Sequence, residues 1–127
     1  MVAALTQAWL GRYRELATEL PACPGATGTV QHLVPKGPDG DVAYVVELAD
    51  GRVVRAELGT DATAALTLTM THPDALAIAR GELDLVAGFM QGRVKLTGDH
   101  AVFLGLQGVL QGDAHRSVVA ALGAETD

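Results

Sequence analysis

The sequence predicts an α+β fold: a mostly antiparallel sheet covered on one face by helices. Three observations predict it. The chain opens with an amphipathic helical pattern, continues as short β-branched segments separated by turn residues, and returns to helical periodicity interrupted by a single strand. That order, helix, four strands, two helices, a strand and a closing helical region, does not alternate strand with helix, so it excludes a doubly wound nucleotide fold. The 127 residues suit one domain with a single core, spanning 1–127.

From Val2 to Leu20 the apolar residues Leu5, Trp9, Tyr13, Leu16 and Leu20 recur at three- and four-residue intervals, which predicts the first helix. PACPGATG, from Pro21 to Gly28, stops it with two prolines and two glycines. Thr29 to Val34 reads as a strand, Pro35 to Asp41 as a loop of turn formers, and Val42 to Leu48 as the second strand. Ala49-Asp50-Gly51 turns the chain into a third, Arg52 to Leu58, with Glu47, Arg55 and Glu57 toward water and Tyr44, Val46, Val54 and Ala56 on the core face. In ALTLTM, Ala65 to Met70, strict alternation places Leu66, Leu68 and Met70 on one side. THPDALAIARG opens a helix at Pro73 and Asp74, turns Leu76 and Ala79 inward, and stops at Gly81. Leu83 to Met90 forms another, Arg93 to Thr97 a strand, and the last helical region runs from Asp99 to about Leu122.

Composition narrows the function. The net charge is −6 and only two lysines, Lys36 and Lys95, are present, which argues against nucleic acid or an anionic membrane as partner. Cys23 stands alone, so no internal disulfide forms. The N-terminal stretch reads neither as a signal peptide nor as a spanning helix, and AETD is no peroxisomal or prenylation signal; a cytoplasmic address without stable membrane insertion is expected. Asn is absent and Ile occurs once beside plentiful Ala, Gly and Val, a bias that GC-rich coding in a bacterial source would produce.

Reactive constellations are missing. The single serine, Ser117, sits in HRSVVA rather than in a G-x-S-x-G elbow. His32, His72, His100 and His115 share no helix face or metal spacing, and read as surface or capping residues, with His32 or His100 the ones to reach a cavity. No phosphate-cradling motif occurs either, and Cys or paired carboxylates at metal-ligand intervals are absent, so no metal, cofactor or catalytic residue is expected. In GFMQGRVKLTGD the three glycines divide the work: Gly88 permits close packing, Gly92 ends a helix, and Gly98 turns the strand so that Asp99 caps the next helix. In AVFLGLQGVLQG, Gly105, Gly108 and Gly112 share one face, which implies either close packing, a helix broken at Gly105 or Gly108, or a segment that shifts to admit a ligand.

The run from Thr71 to Asp99 resembles the signature of the sterol carrier protein 2 family. Asp74-Ala75-Leu76, Gly81-Glu82-Leu83, Phe89-Met90-Gln91-Gly92, Lys95 and Gly98-Asp99 appear in the family's order. The resemblance implies a five-stranded sheet, a hydrophobic tunnel between sheet and helices, and non-catalytic binding or transfer of fatty acid, acyl-CoA, sterol or a related lipid. Phe89 and Met90 are the first candidates for the lining, followed by Leu85, Phe103, Leu106 and Leu110. Arg93 and Lys95, on one strand face, are candidates for head-group contact.

Two rival readings stay open. One is a small isomerase or cyclase acting on an apolar lipid or polyketide substrate, which requires His32, Tyr44 or His100 inside the pocket with a shifted pKa. The other is an accessory module that docks on a lipid-metabolising protein partner. A homo-oligomer is compatible with any of the three.

Overall fold

The computed structural model describes residues 2–38 and 40–127. Asp39, within the expected Pro35–Asp41 loop, lies outside the described residues. The elements in chain order are α1 (Gln7–Leu16), a 3-10 turn (Ala17–Glu19), β1 (Gly28–Gly37), β2 (Gly40–Ala49), β3 (Arg52–Leu58), β4 (Leu66–Met70), α2 (His72–Ala79), α3 (Leu85–Met90), β5 (Val94–Gly98), α4 (His100–Leu110) and α5 (Asp113–Glu125).

The strands form one sheet in the order β3-β2-β1-β4-β5. Every pairing is antiparallel except that of β1 with β4, which is parallel, so the sheet is mixed but mostly antiparallel. Alternation along β1, β2 and β4 sends Val30, His32, Tyr44, Val46, Leu66 and Leu68 to the helix-covered side, where all are buried. The other face carries Arg55, hydrogen-bonded to Glu47, Glu57 and Asp61.

Several boundaries differ from the sequence reading for local reasons. The first helix starts at Gln7 rather than Val2, because Thr6 caps it by accepting the Trp9 N–H. Val2 instead bridges to Thr126, and Arg12 holds Glu125 through two hydrogen bonds, which ties the two ends of the chain together. The expected loop after Val34 is largely strand: β1 continues to Gly37, which pairs with Gly40 after a register shift, and Lys36, at φ 59°, donates its N–H to Asp41.

A second bulge corrects the core face of β3. Glu47 opposes Arg55 but Leu48 opposes Val53, which leaves Val54 as the extra residue. Val53 is therefore buried and Val54, expected inside, is exposed. In α2 the inward pair is Ala75 and Ala79, four residues apart, with Leu76 half-buried beside them. The third helix begins at Leu85 rather than Leu83, since the Asp84 carboxylate accepts the Ala87 N–H.

The closing helical region is two helices, and the break falls at Gln111–Gly112, not at Gly105 or Gly108. The glycine face of α4 lies against the Pro21–Gly28 loop: a Cβ on Gly105 would sit 3.6 Å from the Gly25 carbonyl oxygen, and one on Gly108 4.0 Å from Cys23 Sγ. Gly98 is a strict requirement. Its φ is 114°, a Cβ there would approach the Ala65 carbonyl oxygen to 2.6 Å, and Asp99 next to it caps α4 by accepting the Ala101 and Val102 N–H groups.

Candidate functional site

Between the sheet and the helices lies a cavity of about 120 Å³. Its floor is the sheet: Val30 and His32 of β1, Tyr44, Val46 and Leu48 of β2, and Leu68 of β4. One wall is α1, through Trp9, Leu10 and Tyr13, and the opposite wall is α4, through Phe103, Leu106 and Leu110 at helical spacing. Helix α5 closes the top with His115, Val119 and Leu122. Asp84 and Arg116 also border the cavity and are exposed, so its mouth lies between the start of α3 and the first turns of α5.

Polar groups inside are few and uncharged. His32 and Tyr44 are directly opposed across β1 and β2, and their rings stack 4.4 Å apart at 9°. Trp9 and Tyr44 meet edge-to-face, ring centroids 5.8 Å apart. Burial lowers the His32 pKa to about 4, so the imidazole is neutral at pH 7, and burial raises both Tyr13 and Tyr44. Tyr13 Oη lies 2.9 Å from His115 Nε2, and His115 is also lowered, by burial first, with the Leu110 backbone and the Asp84 charge opposing it. Among the described residues, Trp9 Nε1 and His32 Nδ1 are buried without a hydrogen-bond partner. Leaving such a group unpaired costs roughly 1–3 kcal/mol.

Four of the sequence-derived candidates, Leu85, Phe103, Leu106 and Leu110, line this cavity. Phe89 does not; it packs behind the wall on Phe103, ring centroids 5.1 Å apart. Met90 points outward at 71% exposure, because the short α3 turns its last residue to solvent while Val86 and Gly88 face inward. Arg93 precedes β5 and pairs with Asp74 at 2.6 Å, at the start of α2. Lys95 is exposed and opposes Thr69 on the face of the sheet away from the helices. Neither cation borders the cavity; Arg116 does, and among the described residues it forms no ion pair within 4 Å.

His115, read from the sequence as a surface or capping residue, is buried instead, because its spacing to Val118 and Leu122 places it on the inner face of α5. His100, by contrast, is exposed, with Nδ1 3.2 Å from the Gly98 carbonyl oxygen. A second groove of about 270 Å³ runs between Leu20–Cys23 and the α4–α5 junction, and His115 borders both it and the cavity. Its lining is much less apolar than that of the cavity between sheet and helices, which is therefore the better candidate.

Comparison with known proteins agrees with this architecture. The model of the SCP-2 sterol transfer family matches residues 17–111, three-quarters of the chain. A crystal structure of sterol carrier protein 2 is 20% identical and superposes with a TM-score of 0.73, over 93% of this chain and 98% of that one. The solution structure of palmitated SCP2L2 from Aedes aegypti is 22% identical, with a TM-score of 0.60 over 83% and 89%. The sec-alkylsulfatase Pisa1 from Pseudomonas sp. is 28% identical, with a TM-score of 0.52 over 74% of this chain but 15% of its own length. No curated protein sequence matches.

Proposed function

The chain belongs to the SCP-2 sterol transfer family, and from that membership we propose that its 127 residues act as one domain that binds and transfers an apolar ligand without chemistry of its own. The observation that carries the reading is the cavity between sheet and helices, apolar except for uncharged groups within and a charged mouth. Burying each methylene contributes about 0.8 kcal/mol, so a twelve-carbon chain offers on the order of 10 kcal/mol before ordering costs. Leu85, Phe103, Leu106 and Leu110 are the lining we assign. Arg116, at the mouth, replaces Arg93 and Lys95 as the head-group contact.

At about 120 Å³ the cavity is smaller than the roughly 300 Å³ at the low end of ligand pockets, so a long chain enters only if a wall moves. Helix α4 is that wall. It carries Gly105 and Gly108 in its interior, where their face meets the Pro21–Gly28 loop without side chains of its own, and it leaves Leu104 at 65% exposure. A structural neighbour solved with palmitate supports a fatty-acyl ligand. The cytoplasmic, bacterial setting expected from the sequence fits this role, and among the described residues no helix is long and apolar enough to cross a membrane.

The enzyme reading needs His32, Tyr44 or His100 in the pocket, and His32 and Tyr44 do border the cavity. With its pKa near 4, however, His32 is a weak base at pH 7, better suited to hydrogen bonding than to proton transfer. The accessory-module reading has one specific support: a related segment forms 15% of an alkylsulfatase. On that reading the chain presents apolar substrates to a separate enzyme, using the same cavity.

The test is native mass spectrometry of the gently purified protein, then displacement titration with a fluorescent fatty acid. A co-purified lipid and saturable micromolar binding are expected. Absence of both would remove the carrier reading.

A further inference from the structure

The last turns of α4 stand between two hollows. Leu106 and Leu110 border the cavity between sheet and helices, while Gly108 and Val109 border the groove at Leu20–Cys23. Among the described residues a single one, His115, borders both. It is buried, and its contact with Tyr13 holds it in place: Nε2 lies 2.9 Å from Oη, with the rings edge-to-face 6.0 Å apart. Neither hollow alone suits a long chain. The cavity is about 120 Å³ and the groove about 270 Å³, each below the roughly 300 Å³ at the low end of ligand pockets; joined, they exceed it.

We propose that the groove is the distal compartment of the same site and that His115 selects chain length: a short acyl chain ends at the imidazole, and a long one displaces it and continues into the groove. This rests on the carrier reading and adds to it a basis for discrimination between ligands. The imidazole is the part of the partition that yields, because a side chain turns between staggered rotamers and gives up one hydrogen bond, that to Tyr13. The rest is helix, closed at its end by Gln111 N–H donating to the Gln107 carbonyl and Gly112 N–H to that of Val109. Charge sets the direction. Asp113 is the one carboxylate on the groove among the described residues and opposes an anionic head group there, whereas Arg116 stands at the mouth of the cavity. The head group therefore stays at Arg116 and the uncharged chain end enters the groove. Its lining is the less apolar of the two, so each methylene contributes less there than in the cavity.

Cys23 is a reporter for the groove. It is the only cysteine of the chain, is half-buried, and lines the groove but not the cavity. The rate at which iodoacetamide alkylates it is measured on the full chain alone, with octanoate and with palmitate, each at a concentration that displaces most of a bound fluorescent fatty acid. Palmitate is expected to slow alkylation about fivefold or more, by mass action at that occupancy, and octanoate to leave it unchanged.

Palmitate that displaces the probe while Cys23 keeps its rate would overturn the proposal, since the chain then ends elsewhere. Equal slowing by both acids would also overturn it, because ligand would then tighten the fold around Cys23 without entering the groove. If neither acid displaces the probe, the carrier reading fails and the distal compartment with it. His115→Ala removes the imidazole from the partition. It is expected to raise the preference for palmitate over octanoate roughly three- to tenfold, corresponding to the one hydrogen bond that a long chain no longer breaks. An unchanged ratio in the folded variant would reduce His115 to packing.

Discussion

Tyr13 of α1 and His115 of α5 meet across the cavity, Oη to Nε2 at 2.9 Å, and this is the one side-chain hydrogen bond joining those two walls within the site among the described residues. Tyr13→Phe keeps the ring and leaves a buried imidazole nitrogen without its partner. A loss of about 1–2 kcal/mol is expected, read as a lower denaturant midpoint at unchanged slope. An unchanged midpoint would mean that water replaces the phenol without cost.

Burial of neutral histidines makes stability pH-dependent. The folded pKa of His32 is about 4 against 6.5 unfolded, so its contribution is complete above pH 6.5 and is lost as pH falls toward 4. The loss is about 3 kcal/mol at full protonation. His115, lowered in the same direction, adds to it. Asp74 and Glu125, held low by Arg93 and Arg12, and Asp61, held near 2 by Thr63 and then Arg55, yield their contributions only below their ordinary values, 3.8 for Asp and 4.5 for Glu. Unfolding titrations between pH 6.5 and 4.5 therefore isolate the histidines. His32→Phe is expected to flatten most of the slope there; an equally steep slope in the variant would place the effect elsewhere.

Leu106 is fully buried and borders the cavity from α4. Leu106→Ala is expected to destabilise the chain by about 2–5 kcal/mol while enlarging the cavity. A saturating fatty acid should then recover more stability in the variant than in the parent, a difference visible in thermal scans. Equal recovery would show that the added space is not used by ligand.

Gly105 and Gly108 have room for a methyl group, with the nearest atoms at 3.6 and 4.0 Å. Replacing both by alanine should stabilise α4 by up to about 1 kcal/mol per site. If α4 is the moving wall, dissociation of a fluorescent fatty acid slows in stopped-flow measurements. A higher melting temperature with an unchanged off-rate would assign entry to another wall.

Arg116→Glu should weaken octanoate roughly five- to tenfold without lowering stability, because the side chain is exposed at the mouth. Lys95→Glu, on the far face of the sheet, should leave both untouched. The reverse pattern would restore β5 as the head-group surface.

Much of the fold was legible because it rests on local chemistry. Alternation in LTLTM, the Asp50-Gly51 turn, the helix start at Pro73 and Asp74, the Asp99 cap and the Gly98 kink are each decided within a few residues. Register was not. The bulge that exchanges Val53 for Val54 depends on how β3 meets β2, and nothing in RVVRAEL marks which valine is extra.

The lining was legible in part for the same reason. Helical spacing within α4 brings Phe103, Leu106 and Leu110 to one face, and the cavity happens to lie there. Met90 failed because its exposure is set by where a six-residue helix ends and β5 begins, and Arg93 because Asp74, nineteen residues away, captures it.

By itself the sequence determined the α+β order, the family signature and the lack of a recognisable catalytic motif, since each is written in neighbouring residues. Only the tertiary structure decided that Trp9, His32, Tyr44 and His115 share one cavity. They come from α1, β1, β2 and α5, and a shared polar environment among residues so far apart in the chain arises from packing, which no local pattern encodes.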